Sequence, residues 1–149
     1  MKASNQGLSW SKGFMYTIHQ TYFLAQKRLE QKLSHANTLS FSQFLIMMGL
    51  HCKDNASQSV VADFLYITEA TVSRHISTLE KEKYLTRNED PENRRKHVLI
   101  MTLKGQKEFE TAHAIIEAEL KEIFDDVEIK DRELITEIFE RIISKLSQK

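Results

Sequence analysis

The chain has 149 residues, 21 Lys+Arg against 21 Asp+Glu, and one cysteine, Cys52. A chain of this length buries roughly 68–70% of its unfolded surface, so a core forms without staples, and a lone cysteine excludes an intramolecular disulfide framework. The first thirty residues lack the cationic flank and apolar run of a signal peptide, and the longest apolar run, Phe44 to Leu50, is far short of the ~18 residues of a membrane span; a soluble cytoplasmic protein is expected.

Zero net charge argues against a nucleic-acid partner until its distribution is considered. Residues 71–107 hold nine Lys+Arg against five Asp+Glu, whereas 108–149 hold six against twelve. The basic excess is therefore local, and the acidic excess falls in the last helical segments.

Four glycines and one proline predict long helices with few breaks. Trp10, Phe14, Ile18, Tyr22, Ala25, Leu29 and Leu33 recur at three- or four-residue steps and make a long amphipathic first helix. Ser40 and Gln43 form a capping-box pattern ahead of Phe44, Leu45, Met47 and Met48, opening a second helix that ends near Cys52. Lys53 to Ala56 is loop. Ser57 caps a short third helix carrying Val60, Val61, Phe64 and Leu65. After a break at Tyr66 and Ile67, Thr68 caps a fourth, with Glu69 favourably placed against the helix dipole. Two helices joined by so short a turn make a helix-turn-helix, with Tyr66 where the turn often has glycine.

From Tyr84 the period changes. Tyr84 to Arg87 and Lys96 to Met101 are strand-like, and the polar stretch Asn88 to Arg95 between them holds the only proline, so a hairpin with a projecting tip is predicted. The run Val98 to Met101 does not alternate, so its facing is not assigned by period. Thr102 then caps a fifth helix with the stripe Phe109, Ala112, Ile116, Leu120 and Ile123. A sixth, from about Ile129, carries Leu134, Ile135, Ile138, Phe139, Ile142, Ile143 and Leu146.

Advancing 100° per residue along the fourth helix places Val72, Ile76 and Leu79 on one face and Ala70, Arg74, Ser77 and Lys81 opposite, flanked by Thr71, Ser73 and Thr78. A small, polar, cationic face suits entry into a major groove about 12 Å wide. Arg74 has the fork geometry for guanine O6 and N7, and Thr68, Thr71, Ser73, Ser77 and Thr78 carry hydroxyls for bases or phosphates. Ser57 and Gln58, at the start of the third helix, are candidate phosphate contacts because helix N-termini offer free N–H groups. At the hairpin tip Arg94, Arg95 and Lys96 form a basic cluster suited to a narrow, electronegative minor groove.

The run ITEATVSRHISTLEKEKYLTRNEDPENRRKHVLIMTLKG resembles the helix-turn-helix and wing of the multiple antibiotic resistance regulator (MarR) family of bacterial transcription factors. The similarity is strongest from Ser57 to Gly105. The family's wing pattern D-P-x-D-R-R, followed by an apolar strand and L-T-x-x-G, reads DPENRR and VLIMTLKG here. Asn93 replaces the aspartate that orients the following arginine, leaving Asp90 as the candidate to orient Arg94.

The resemblance implies a mainly α protomer over residues 1–149. It has a winged helix-turn-helix lobe at 40–105 with a two-stranded β wing, and long helices at 8–35 and 106–147 that form a dimerisation region. It implies a homodimeric, sequence-specific regulator of double-stranded DNA, a repressor in expectation, with a pseudo-palindromic operator. It also implies a small-molecule effector, for which Tyr16, His19, Met48 and His51 are the candidate pocket. Alternatives from other classes are a winged-helix protein-interaction module and a non-specific architectural DNA binder.

Catalytic and metal chemistry find no support in spacing. There is no G-x-S-x-G, no phosphate-binding glycine loop and no HExxH, so no enzyme is expected. The six histidines are scattered singly, and no cofactor or metal is expected. Cys52 at a helix C-terminus lacks the dipole that activates thiols.

Overall fold

A computed structural model of the chain describes residues 10–53, 56–89 and 97–147, and side chains from residue 12 onward within them. The element order is α1 (Trp10–His35), α2 (Phe41–Cys52), α3 (Gln58–Leu65), α4 (Glu69–Lys81), β1 (Leu85–Glu89), β2 (His97–Met101), α5 (Leu103–Ile123) and α6 (Ile129–Leu146). Two compact units are present, Met1–Ile116 and Glu117–Lys149. No helix among the described residues is long and apolar enough to cross a membrane.

The first unit is built around α2, which is apolar on nearly every side and is therefore buried rather than amphipathic. Phe44, Ile46 and Met47 are its innermost residues. Around them close Leu29 and Leu33 of α1, Val61 of α3, Val72, Ile76 and Leu79 of α4, Leu85 of β1, and Phe109, Ala112 and Ile116 of α5. Each large side chain so buried contributes about 1.5–3 kcal/mol. Of the stripe predicted for α1, only Leu29 and Leu33 are buried among the residues with described side chains, while Tyr22 is exposed together with Met15, Tyr16, Phe23 and Leu24.

Local capping sets where the helices begin. The predicted capping box is present at α2, where the Ser40 hydroxyl accepts from Gln43 N at 3.2 Å and the Gln43 side chain accepts from Ser40 N at 2.9 Å. Ser57 caps α3 and Thr68 caps α4. Glu30 of α1 adds a carboxylate that accepts from Phe41 N at 2.8 Å, satisfying one of the amides that α2 leaves without an intrahelical partner.

The same motif ends three of these helices. Asn37, Tyr66 and Lys83 adopt φ of 51°, 54° and 62°. The residue after each donates five positions back: Thr38 N to Leu33 O, Ile67 N to Ala62 O, and Tyr84 N to Leu79 O, at 3.2, 3.1 and 2.9 Å. These are Schellman closures with a non-glycine in the left-handed seat, where a β-carbon costs roughly 1–2 kcal/mol. Lys83 is exposed, so Lys83→Gly should raise the unfolding free energy by about 1 kcal/mol, or ~2–4 °C in Tm, in thermal melts. An unchanged melting temperature would show that the strain is relieved another way.

β1 and β2 pair antiparallel, with Leu85 opposite Met101 and Glu89 opposite His97. The strands thus run to Glu89 and start at His97, slightly offset from the predicted limits. Non-alternation in β2 has a structural counterpart. Val98 and Leu99 are both buried, Ile100 is exposed, and Leu99 N donates to Ala56 O at 2.9 Å, bringing the loop before α3 against the strand.

In the second unit, α5 ends in a turn held by Arg132, whose guanidinium donates to Val127 O at 2.7 Å and to Phe124 O at 2.5 Å. No residue of α6 is buried. Ile129, Leu134, Ile135, Ile138, Phe139, Ile143 and Leu146 are all exposed.

Candidate nucleic-acid interface

The helix-turn-helix comprises α3, a turn at Tyr66 and Ile67, and α4. Its second helix divides along its length. Val72, Ile76 and Leu79 are 0% exposed, while Thr68, Ala70, Arg74, Ser77, Thr78 and Lys81 are exposed and Thr71 and Ser73 half-buried. The buried stripe fixes the rotation of α4 about its axis, so the polar face is the one left for a partner. Arg74 forms no ion pair among the described residues. Among the described residues its five guanidinium donors meet no acceptor.

The hydroxyls are partly committed. Ser77 donates to Ser73 O at 3.0 Å and Thr78 to Arg74 O at 3.3 Å, which leaves their lone pairs as acceptors. Thr68 accepts from Thr71 N at 3.3 Å, and its hydroxyl lies 2.9 Å from that of Thr71. The two helix starts are tied by Gln58, whose side-chain amide donates to Glu69 O at 3.2 Å, while Ser57 accepts from Val60 N at 3.4 Å. Two helix N-termini, each with free amides suited to anions, are thereby held in one arrangement.

The wing base is anchored on both sides. Arg87 of β1 donates to Glu80 of α4 at 3.1 Å, a partly exposed pair worth no more than about 1 kcal/mol but directional. On the other side Thr102 N donates to Tyr84 O at 3.0 Å, the Thr102 hydroxyl donates to Lys83 O at 2.7 Å, and that hydroxyl accepts from Gly105 N at 3.0 Å. Burial, then the carboxylates of Glu108 and Glu82, pushes the Tyr84 phenol above its ordinary value, and the ring carries Lys104 Nζ 4.5 Å from its centroid. The predicted tip residues Asp90, Asn93, Arg94, Arg95 and Lys96 lie outside the described residues.

A cavity of about 560 Å³ opens between the end of α2 and the first half of α5. Met48, His51 and Cys52 form one wall, Gln106, Phe109, Glu110 and His113 the other, and Met101 closes it from β2. Of the predicted pocket residues, Met48 and His51 meet here; Tyr16 and His19 do not line it. His19 instead stacks on Phe23 at 6.2 Å. Phe109 lies between two imidazoles, its ring centroid 5.2 Å from His51 and 5.9 Å from His113. The α5 wall repeats at i, i+3, i+4 and i+7, and its apolar member, Phe109, belongs to the apolar stripe expected for that helix. Among the described residues no three His, Cys, Asp or Glu side chains are placed to hold a metal ion.

Residues 39–97 match the MarR family model. The chain is 25% identical over 116 residues to the uncharacterised HTH-type transcriptional regulator YdgJ of Bacillus subtilis (strain 168), a match covering 78% of this chain and 71% of that protein. Its fold is similar to the crystal structure of a MarR/EmrR family transcriptional regulator from Acinetobacter sp. ADP1, with a TM-score of 0.84 at 18% identity over 95% of this chain and 100% of that one. A MarR transcriptional regulator from Methanosarcina mazei Go1 is similar with a TM-score of 0.79 at 25% identity, over 90% of this chain and 96% of that one.

Proposed function

We infer, for a chain that belongs to the MarR family of transcriptional regulators, that it represses transcription by holding a pseudo-palindromic operator as a homodimer and releases it when an effector enters the α2–α5 cavity. The observation that carries this reading is the division of α4, with Val72, Ile76 and Leu79 wholly buried and Arg74 exposed. In this reading Arg74 contacts guanine, and Ala70 permits close approach of the backbone. The hydroxyls of Thr68, Thr71, Ser73, Ser77 and Thr78 serve bases and phosphates, and Ser57 and Gln58 contact phosphate. Arg94, with Arg95 and Lys96, enters the flanking minor groove, oriented by Asp90 in place of Asn93. Two-fold symmetry sets the recognition helices ~34–36 Å apart, one turn of B-DNA.

The homodimer is supported by apolar surface that the protomer leaves uncovered. Both α1 and α6 present exposed large apolar side chains, and α6 buries none of its residues, the kind of surface that commonly finds a partner. Phe139→Glu should weaken self-association by roughly 2–4 kcal/mol, the range of a central apolar contact, read by sedimentation equilibrium. An unchanged dimer would place the interface elsewhere.

A mobility shift against the chain's own upstream region at low salt tests the DNA reading. Retarded complexes that weaken steeply with salt are expected, because each neutralised phosphate releases counterions. No retardation of any promoter fragment would leave the protein-interaction module as the better account, and equal affinity for scrambled DNA the architectural one.

A further inference from the structure

The α2–α5 cavity has a charge pattern that selects its occupant. Among the described residues it is lined by one carboxylate, Glu110, and by no lysine or arginine. Of the basic side chains near its walls in sequence, Lys107 is exposed and does not line the cavity, and Lys53 and Lys104 are engaged elsewhere. Lys53 Nζ sits 5.7 Å from the centroid of the Phe64 ring, and Lys104 donates to Glu82 O at 2.8 Å while lying over Tyr84. The neighbouring Glu108 accepts from the Thr38 hydroxyl and adds negative charge to the same helix.

The remaining lining is polarisable. Phe109 with His51 and His113 presents ring faces, and Met48, Met101 and Cys52 present sulfur. Ring faces attract cations through the π quadrupole, and thioethers adapt their shape to flat ligands. At about 560 Å³ the cavity is of a size that takes a fused-ring molecule, and much larger than a hydrated inorganic ion requires. An aryl carboxylate entering it would meet Glu110 with no fixed cation to compensate.

We propose that this cavity takes a planar aromatic cation, its rings against Phe109 and the flanking imidazoles and its charge toward Glu110. The proposal rests on reading the cavity as the effector site and names the chemical class of the effector. Rhodamine 6G and fluorescein provide the test, since they share one xanthene ring system and carry opposite charge. Titration of each dye at pH 8 into the full-length, DNA-free protein, followed by fluorescence anisotropy, should give saturable binding for rhodamine 6G and none for fluorescein.

Glu110 is exposed, so Glu110→Gln is expected to fold and to weaken rhodamine 6G roughly two- to fivefold, the scale of a solvent-screened charge contact. Glu110→Lys should weaken it further and admit fluorescein. Binding of fluorescein as tight as that of rhodamine 6G, or rhodamine 6G affinity unchanged in both variants, overturns the proposal. Because the titration contains no DNA, its outcome is separate from the regulator reading. Operator binding without Glu110-dependent dye binding keeps the regulator and removes the cation. Glu110-dependent dye binding in a chain that binds no operator does the reverse.

Discussion

Gly105→Ala is expected to cost about 3 kcal/mol of stability or more, at the upper end of what overpacking does, because the obstruction is backbone rather than a side chain that can turn away. A β-carbon built at Gly105 would stand 1.8 Å from Tyr84 O and 2.7 Å from Tyr84 C. The requirement is space and not dihedral freedom, since Gly105 lies inside α5. To make room, Tyr84 must retreat by more than an ångström. That movement strains the bonds from Thr102 to Tyr84 O and Lys83 O and pulls on Leu85, which is 1% exposed at the start of β1. Thermal denaturation measures the loss, with a fall in Tm of roughly 6–12 °C expected for a chain of this size. DNA affinity should fall as well, because the wing hangs from this junction. A Gly105→Ala protein as stable as the parent would contradict the close approach of α5 to Tyr84.

Arg74→Ala is expected to do the opposite, leaving stability within about 0.5 kcal/mol, as for an exposed surface residue, while removing base preference at one position of each half-site. A bidentate arginine–guanine contact discriminates by ~1–3 kcal/mol, and a dimer loses it twice. Arg74→Lys separates geometry from charge, since an ammonium keeps the cation but lacks the planar fork. It should retain much of the affinity and little of the preference. By contrast Lys81→Ala, a change at the far end of the helix face, should weaken all sequences alike and reduce the salt slope by about one. Competition with duplexes substituted at single positions distinguishes these patterns.

How much of this was legible beforehand followed from how local each determinant is. Caps depend on three or four consecutive residues, so Ser40 with Gln43, Ser57, Thr68 and Thr102 were readable as written, and each makes its bond. The orientation of α4 was equally plain, because Val72, Ile76 and Leu79 are the only large aliphatic side chains on an otherwise polar helix. The interruption at Tyr66 also had a local cause, although its left-handed φ replaced the glycine that such a turn commonly uses.

Features set by packing between distant segments were not legible. Nothing in the spacing of Gly105 announces that Tyr84 O lies against it. The stripe on α5 shows that the helix is amphipathic but not that Phe109 is both a core residue and a cavity wall, because the helix face at Gln106, Glu110 and His113 turns toward α2. Tyr16 and His19 were grouped with Met48 and His51 on chemical type, and chemical type does not determine which residues meet. The facing of β2 was undecidable from period because both of its faces are covered at Val98 and Leu99.

The most direct test of the claim that the exposed face of α4 reads DNA is a pair of anisotropy titrations, wild type and Arg74→Ala, each against the upstream duplex and a scrambled duplex of the same length over a range of salt. The account predicts that the wild type prefers the upstream duplex, that both proteins lose affinity steeply with salt, and that Arg74→Ala narrows the gap between the duplexes by at least tenfold, equivalent to about 1.4 kcal/mol. Undiminished discrimination by Arg74→Ala, or binding that does not respond to salt, would contradict it.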